Sequence, residues 1–254
     1  TIVFDQNGGI RMKKIVFILC MSLAMTTCAS PCMAKQKKVT YKYNASSKTL
    51  TVSGKYLKGK LPSKTGGYNQ AARYKYQWSS LKGKAKKITL KKGVERIGHN
   101  AFGEFAKLNS VKFPNTLKKI DAYAFGSTPI YYVYLPDSVK YIGESAFDMD
   151  GEERGIVKLK LSRNLKSIGK AAFRQNKIKE VVIPSNVEKI GAHAFVECNN
   201  LKRIVIKSKK LKKVGSRAFA DMGKDAVIYI PKERETEYRK MIEDSTAHAQ
   251  IVVQ

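Results

Sequence analysis

The dipeptide Ala-Phe returns six times along the chain, at Ala101-Phe102, Ala124-Phe125, Ala146-Phe147, Ala172-Phe173, Ala194-Phe195 and Ala218-Phe219. The phenylalanines are 23, 22, 26, 22 and 24 residues apart. Five residues before each stands a β-branched aliphatic: Ile97, Ile120, Ile142, Ile168, Ile190 and Val214. A glycine follows it at Gly98, Gly143, Gly169, Gly191 and Gly215, with Asp121 the exception. A period this short, kept over this many units, restricts the chain to a stack of repeats. One unit of this length cannot bury its apolar face alone, and stacking supplies the missing cover.

Between the anchors lie short alternating segments. They centre on Thr89, Lys112, Tyr134, Lys160, Val182, Val205 and Tyr229. Alternation predicts strands with one buried and one open face. Pro114, Pro136, Pro184 and Pro231 close four of them, because proline has no backbone donor to give a sheet. A second aliphatic follows at Leu117, Val139, Leu165, Val187 and Leu211. Each unit therefore reads as strand, turn, aliphatic step and a compact Ile-Gly-x-x-Ala-Phe turn. Stacked units pair their strands in parallel and line up the phenylalanines as a spine. Alanine precedes each Phe because neighbouring turns approach closely there.

The pattern is complete at residues 190–206, as Ile-Gly-x-x-Ala-Phe, x-x-Cys-x-x-Leu-x-x-Ile-x-Ile. It resembles the BspA-type leucine-rich repeats of bacterial secreted and surface proteins. The Leu-x-x-Leu-x-Leu kernel stands as Leu108-x-x-Val111-x-Phe113 and Leu201-x-x-Ile204-x-Ile206. The resemblance covers about residues 87–231, in about six repeats, and implies an α/β-type repeat solenoid. That is a right-handed leucine-rich-repeat stack with a short parallel β-sheet. It also implies a non-enzymatic binding protein with an adhesion-type role.

The flanks fit caps for such a stack. Residues 35–86 form the N-terminal capping region, in which residues 41–54 read as a β-hairpin and Trp78 plugs the open end of the core. Residues 232–254 form the C-terminal cap: a helix over 232–242 with Tyr238, Met241 and Ile242 as its apolar stripe, then a last strand at 250–253. Capped ends predict a monomer.

The N-terminus reads as an address. Residues 1–11 precede Met12 as upstream or partial translation, and residues 12–34 form a secretory signal peptide. Lys13 and Lys14 supply its positive start and residues 15–24 its apolar stretch; the cut falls after Ala34. An uncleaved anchor, or a lipid on Cys28 behind a poor recognition sequence, are the alternatives. Cleavage removes Cys20, Cys28 and Cys32 and leaves Cys198 alone, so no internal disulfide framework is expected. No membrane span is expected after cleavage, and the protein reads as secreted or cell-surface.

Catalytic motifs are sparse. Gly54-x-x-x-x-Gly59-Lys60 begins like a phosphate-binding loop, but Leu61 and Pro62 replace the hydroxyl and the helix it requires. His99, His193 and His248 have no metal-ligand spacing. Cys198 is near His193, yet the family resemblance implies that its slot faces the core, where a thiol is inert. The longer repeat after Phe147 carries Asp148, Asp150, Glu152 and Glu153 around Gly151. It reads as a solvated acidic insertion rather than a calcium loop. No catalytic residue, cofactor or metal site is expected.

A partner would meet the open strand face. Its two columns supply Lys112, Tyr132, Tyr134, Lys158, Lys160, Val182, Arg203, Val205 and Tyr229 as the expected contact residues. The chain carries 49 Lys+Arg against 20 Asp+Glu, a formal charge of +29. Basic runs at 84–87, 91–92, 118–119 and 207–213 would form a stripe down one side. The expected partner is an extracellular protein or glycan, with anionic wall polymers held by charge as the alternative, and no specific nucleic acid.

Overall fold

The computed structural model describes residues 38–58, 75–149, 151, 154–246 and 249–254. The expected leader with Cys28, together with Gly59, Lys60, Asp150, Glu152, Glu153 and His248, lies outside the described residues.

In chain order the strands are β1 (Thr40–Asn44), β2 (Thr49–Ser53), β3 (Tyr56–Leu57), β4 (Lys87–Leu90), β5 (Arg96–Ile97), β6 (Ser110–Lys112), β7 (Lys119–Ile120), β8 (Tyr132–Tyr134) and β9 (Tyr141–Ile142). They continue as β10 (Lys158–Lys160), β11 (Ser167–Ile168), β12 (Glu180–Ile183), β13 (Lys189–Ile190), β14 (Arg203–Ile206), β15 (Lys213–Val214), β16 (Val227–Ile230) and β17 (Gln250–Val253). The single α-helix among the described residues is α1 (Glu235–Glu243). The chain is a parallel-strand solenoid of about seven turns.

Each turn gives one strand to each of two sheets. The first sheet holds the strands expected from alternation, but its ladder is in three pieces: β1-β2-β4-β6, β8-β10 and β12-β14-β16-β17. The β1–β2 hairpin is its antiparallel opening, as expected for the cap. The second sheet is an unbroken run of seven two-residue strands, β3-β5-β7-β9-β11-β13-β15, and was not expected. Two residues cannot show a period of two, so these strands look like nothing more than the step before Ile-Gly.

Close approach holds the second sheet together. A Cβ on Gly191 would fall 2.4 Å from the Lys170 backbone nitrogen, and one on Gly215 would fall 2.2 Å from that of Ala192. Only glycine lets consecutive turns sit this near each other.

The Ala-Phe turns form a third ladder without strand geometry. Tyr123, Phe125 and Ser127 donate their N–H groups to the carbonyls of Glu144, Ala146 and Asp148 in the next turn. Ala171, Phe173 and Gln175 repeat this toward Ala192, Ala194 and Val196. The residue two before each Phe has a left-handed backbone: Asn100, Tyr123, Ser145, Ala171, His193 and Arg217 have φ of 46–58°. Such a conformation costs a non-glycine residue roughly 1–2 kcal/mol, and the turn-to-turn hydrogen bonds offset it.

Inside, the phenylalanines stack nearly parallel. Phe125, Phe147, Phe173, Phe195 and Phe219 are 5.2–5.7 Å apart at their centroids, with interplanar angles of 2–12°. Every one is buried. Trp78 extends the spine, stacking 5.5 Å from Phe102. It also donates Nε1–H to the Ala101 carbonyl at 2.8 Å, while the Tyr76 hydroxyl donates to that of His99 at 2.8 Å. The first turn has no predecessor to use these carbonyls, so an indole and a phenol satisfy them. At the far end Ser245, just past α1, accepts from the Phe219 N–H at 3.1 Å. Tyr238 and Ile242 of α1 are buried against the last turn, and Met241 is half-buried.

Candidate functional site

Parallel register brings several of the expected contact residues together. Tyr132 pairs with Lys158 and Tyr134 with Lys160 across β8–β10. Glu180 pairs with Arg203, and Val182, Val205 and Tyr229 share one row across β12, β14 and β16. Lys112 pairs with Thr89 on the preceding piece and is not laddered to β8.

The β8–β10 pair is the most exposed aromatic surface of the face. Tyr132 and Tyr134 are 51% and 56% accessible. Being two residues apart on one strand, they project side by side, with rings 6.4 Å apart and 1° from parallel. Tyr131, which alternation alone did not nominate, is exposed beside them. Across the face, the Arg203 guanidinium lies 4.4 Å from the Tyr229 ring centroid. Val182 is 44% accessible, as expected, but Val205 is only 6% and is not a contact residue. It sits mid-row between Val182 and Tyr229, with Arg203 laid over that ring, so longer neighbours shade it.

The gap in the ladder opens a cleft. Between β10 and β12 a cavity of about 610 Å³ is lined by Tyr134, Lys158, Lys179, Glu180 and Arg203. The lining sets three cations against one carboxylate. The apolar wall comes from Val157 and Leu159. The longest repeat spacing of the chain, 26 residues, falls within the turn that carries β10, immediately beside this cleft.

A groove of about 640 Å³ runs over the Ala-Phe turns, where its lining includes Glu144, Asp148, Lys170, Arg174 and His193. Its charges are largely paired. Arg174 holds both oxygens of Asp148, at 2.8 and 3.1 Å, and Lys170 lies 3.8 Å from Glu144. Asp148 is therefore buried and bound, not part of a solvated acidic insertion. The insertion is anchored by Asn176, which accepts from the Ile156 N–H and donates to the Phe147 carbonyl, both at 2.8 Å.

Cys198 occupies the equivalent slot one turn later. Its thiol donates to the Phe173 carbonyl at 3.2 Å, and burial pushes its pKa to about 12. A thiol held protonated in this way is a core hydrogen-bond donor, not a nucleophile. Burial also lowers the pKa of His99, which packs 5.4 Å from the Tyr123 ring. Among the described residues no helix is long and apolar enough to cross a membrane, and no group of His, Cys, Asp and Glu could hold a metal ion.

The model of the BspA type leucine rich repeat region matches residues 74–152 and 151–247, in six copies. The chain belongs to that family, whose repeats are interaction scaffolds rather than catalytic domains. Among solved structures it is similar to a leucine-rich repeat protein of T. pallidum, at 21% identity and TM-score 0.52, over 83% of this chain and 96% of that one. It is also similar to one from Eubacterium ventriosum ATCC 27560, at 17% identity and TM-score 0.56, over 77% of this chain and 64% of that one. These likenesses establish the fold alone. No curated protein matches the chain.

Proposed function

We propose that this is a secreted or cell-surface binding protein that attaches to an extracellular macromolecule through the broken strand face. The observation that carries the reading is the β8–β10 surface: two parallel exposed tyrosines beside Lys158 and Lys160, on the lip of a cleft. Tyrosine and arginine are the side chains that most often dominate binding energy, because each offers a large rigid surface with a polar end. Adhesion to a protein ligand follows from this chemistry taken together with the family's interaction role. The leader-like segment at 12–34 supports export.

The test is binding of the chain to extracellular matrix proteins and mucins at about 0.15 M salt, where exposed charges are screened beyond about 8 Å. A protein ligand retained at that salt, and bound at least tenfold more weakly by a Tyr132→Ala/Tyr134→Ala variant, is the expected result. Undiminished binding by that variant moves the site off this face.

A further inference from the structure

The second sheet is separate from the surface just described and carries its own charge pattern. Its outward row reads Tyr56, Arg96, Lys119, Tyr141, Ser167, Lys189 and Lys213, in register. The two halves of that row differ. In the first half, Asp121 takes Arg96 at 2.6 Å and Lys119 at 3.5 Å. Glu95 takes Lys118 at 3.1 Å and Lys55 at 3.7 Å, and the Lys118 hydrogen bond holds its carboxyl below the usual range. The second half has a trough of about 350 Å³ whose lining includes Ser167, Lys170, Lys189, Lys213 and Ser216 and no carboxylate.

The trough follows from the glycine ladder. Gly169, Gly191 and Gly215 form its floor because a Cβ there would strike the preceding turn. Removing side chains for the sake of stacking leaves a channel beside a row of lysines. The nearest carboxylates, Glu144 on Lys170 at 3.8 Å and Glu188 on Lys212 at 3.5 Å, stand outside it. Adjacent strands place the Lys189 and Lys213 columns about 4.8 Å apart. The cations are all lysine, whose compact ammonium binds phosphate oxygens as a point charge. No aromatic residue lines the trough, so neither a nucleobase nor a sugar ring has anything to stack on.

We infer that this trough binds a thin, unbranched phosphodiester polymer of the polyol-phosphate kind, with Lys189 and Lys213 neutralising its phosphates. The site is separate from the strand face, and neither reading depends on the other.

The experiment measures binding of poly(glycerol phosphate) to the full chain as a function of salt, with heparin and oligo(dT) as the other arms. The variants are Lys189→Glu/Lys213→Glu and a control of equal charge change on exposed residues elsewhere, Lys84→Glu/Lys86→Glu. The expected result is a loss of tenfold or more for the trough variant and under threefold for the control. A Lys189→Ala/Lys213→Ala variant should also lower the slope of log affinity against log salt by about 1.4, at roughly 0.7 per neutralised phosphate. Equal losses in the two charge-reversed variants overturn the proposal and assign binding to bulk charge. Heparin or oligo(dT) binding more tightly than poly(glycerol phosphate), with the same dependence on Lys189 and Lys213, overturns the choice of polymer. Tyr132→Ala/Tyr134→Ala should bind poly(glycerol phosphate) normally.

Discussion

The two sheets are built from the same repeats yet obey different constraints. The second sheet has strands of two residues and runs unbroken through seven turns. The first has strands of up to five residues and comes apart twice. Strand length therefore does not decide continuity here. Glycine contact supports it: at Gly98, Gly143, Gly169, Gly191 and Gly215 one turn is pressed on the last until a Cβ no longer fits, Asp121 being the exception. The ladder of the first sheet is interrupted between β10 and β12, which is where its cleft lies. One sheet keeps the spacing of the stack, and the other is free to present tyrosines.

That contrast can be broken most severely at Gly191. Gly191→Ala puts a methyl group 2.4 Å from the Lys170 backbone nitrogen. Backbone cannot swing aside as a side-chain tip can, so the upper end of the overpacking range, about 3 kcal/mol, is expected as a lower urea midpoint. An unfolding free energy within about 0.5 kcal/mol of the parent would show that the second sheet does not set the spacing. A smaller effect is expected at the start of the stack. Trp78→Phe keeps a ring on Phe102 but removes the donor to the Ala101 carbonyl. An unsatisfied buried acceptor costs about 1–3 kcal/mol, and Trp78→Phe is expected to fall within that range. If Trp78→Phe matches the parent, the cap is only an apolar lid. The smallest effect belongs to the first sheet: Tyr134→Ala is expected to stay within about 0.5 kcal/mol, as exposed positions do. A larger loss would mean the tyrosine pair is structural, and its exposure incidental to binding.

The repeat, the spine, the hairpin, the plugging tryptophan and the final strand were all legible in the sequence. Each rests on a chemical identity that recurs or on an alternation long enough to see. The second sheet was not, because two residues carry no periodicity. The left-handed turn positions were invisible for another reason: Asn100, Tyr123, Ser145, Ala171, His193 and Arg217 share a backbone conformation and no side-chain chemistry. Hydrogen bonds from neighbouring turns impose that conformation, so it belongs to the stack and not to the residue. The open strand face was legible as two columns, since register follows from stacking. What escaped was local: Val205 is shaded by neighbours on other strands, and Asp148 is claimed by Arg174 one turn later. Neither partner is near in sequence. The cleft also escaped, because it is produced by a missing ladder.

The turn-to-turn hydrogen bonds beside the phenylalanine spine all run one way, with N–H groups facing the next turn and carbonyls facing the previous one. Their peptide dipoles therefore add along the axis as they do in an α-helix, where the sum amounts to about half an elementary charge at each end. This ladder has a negative pole at its first turn and a positive pole at its last. Tyr76 and Trp78 place polarised hydrogens on the first pole, and Ser245 places an oxygen on the second. Exchanging the two caps would oppose the field at both ends, so each cap is specific to the end it closes.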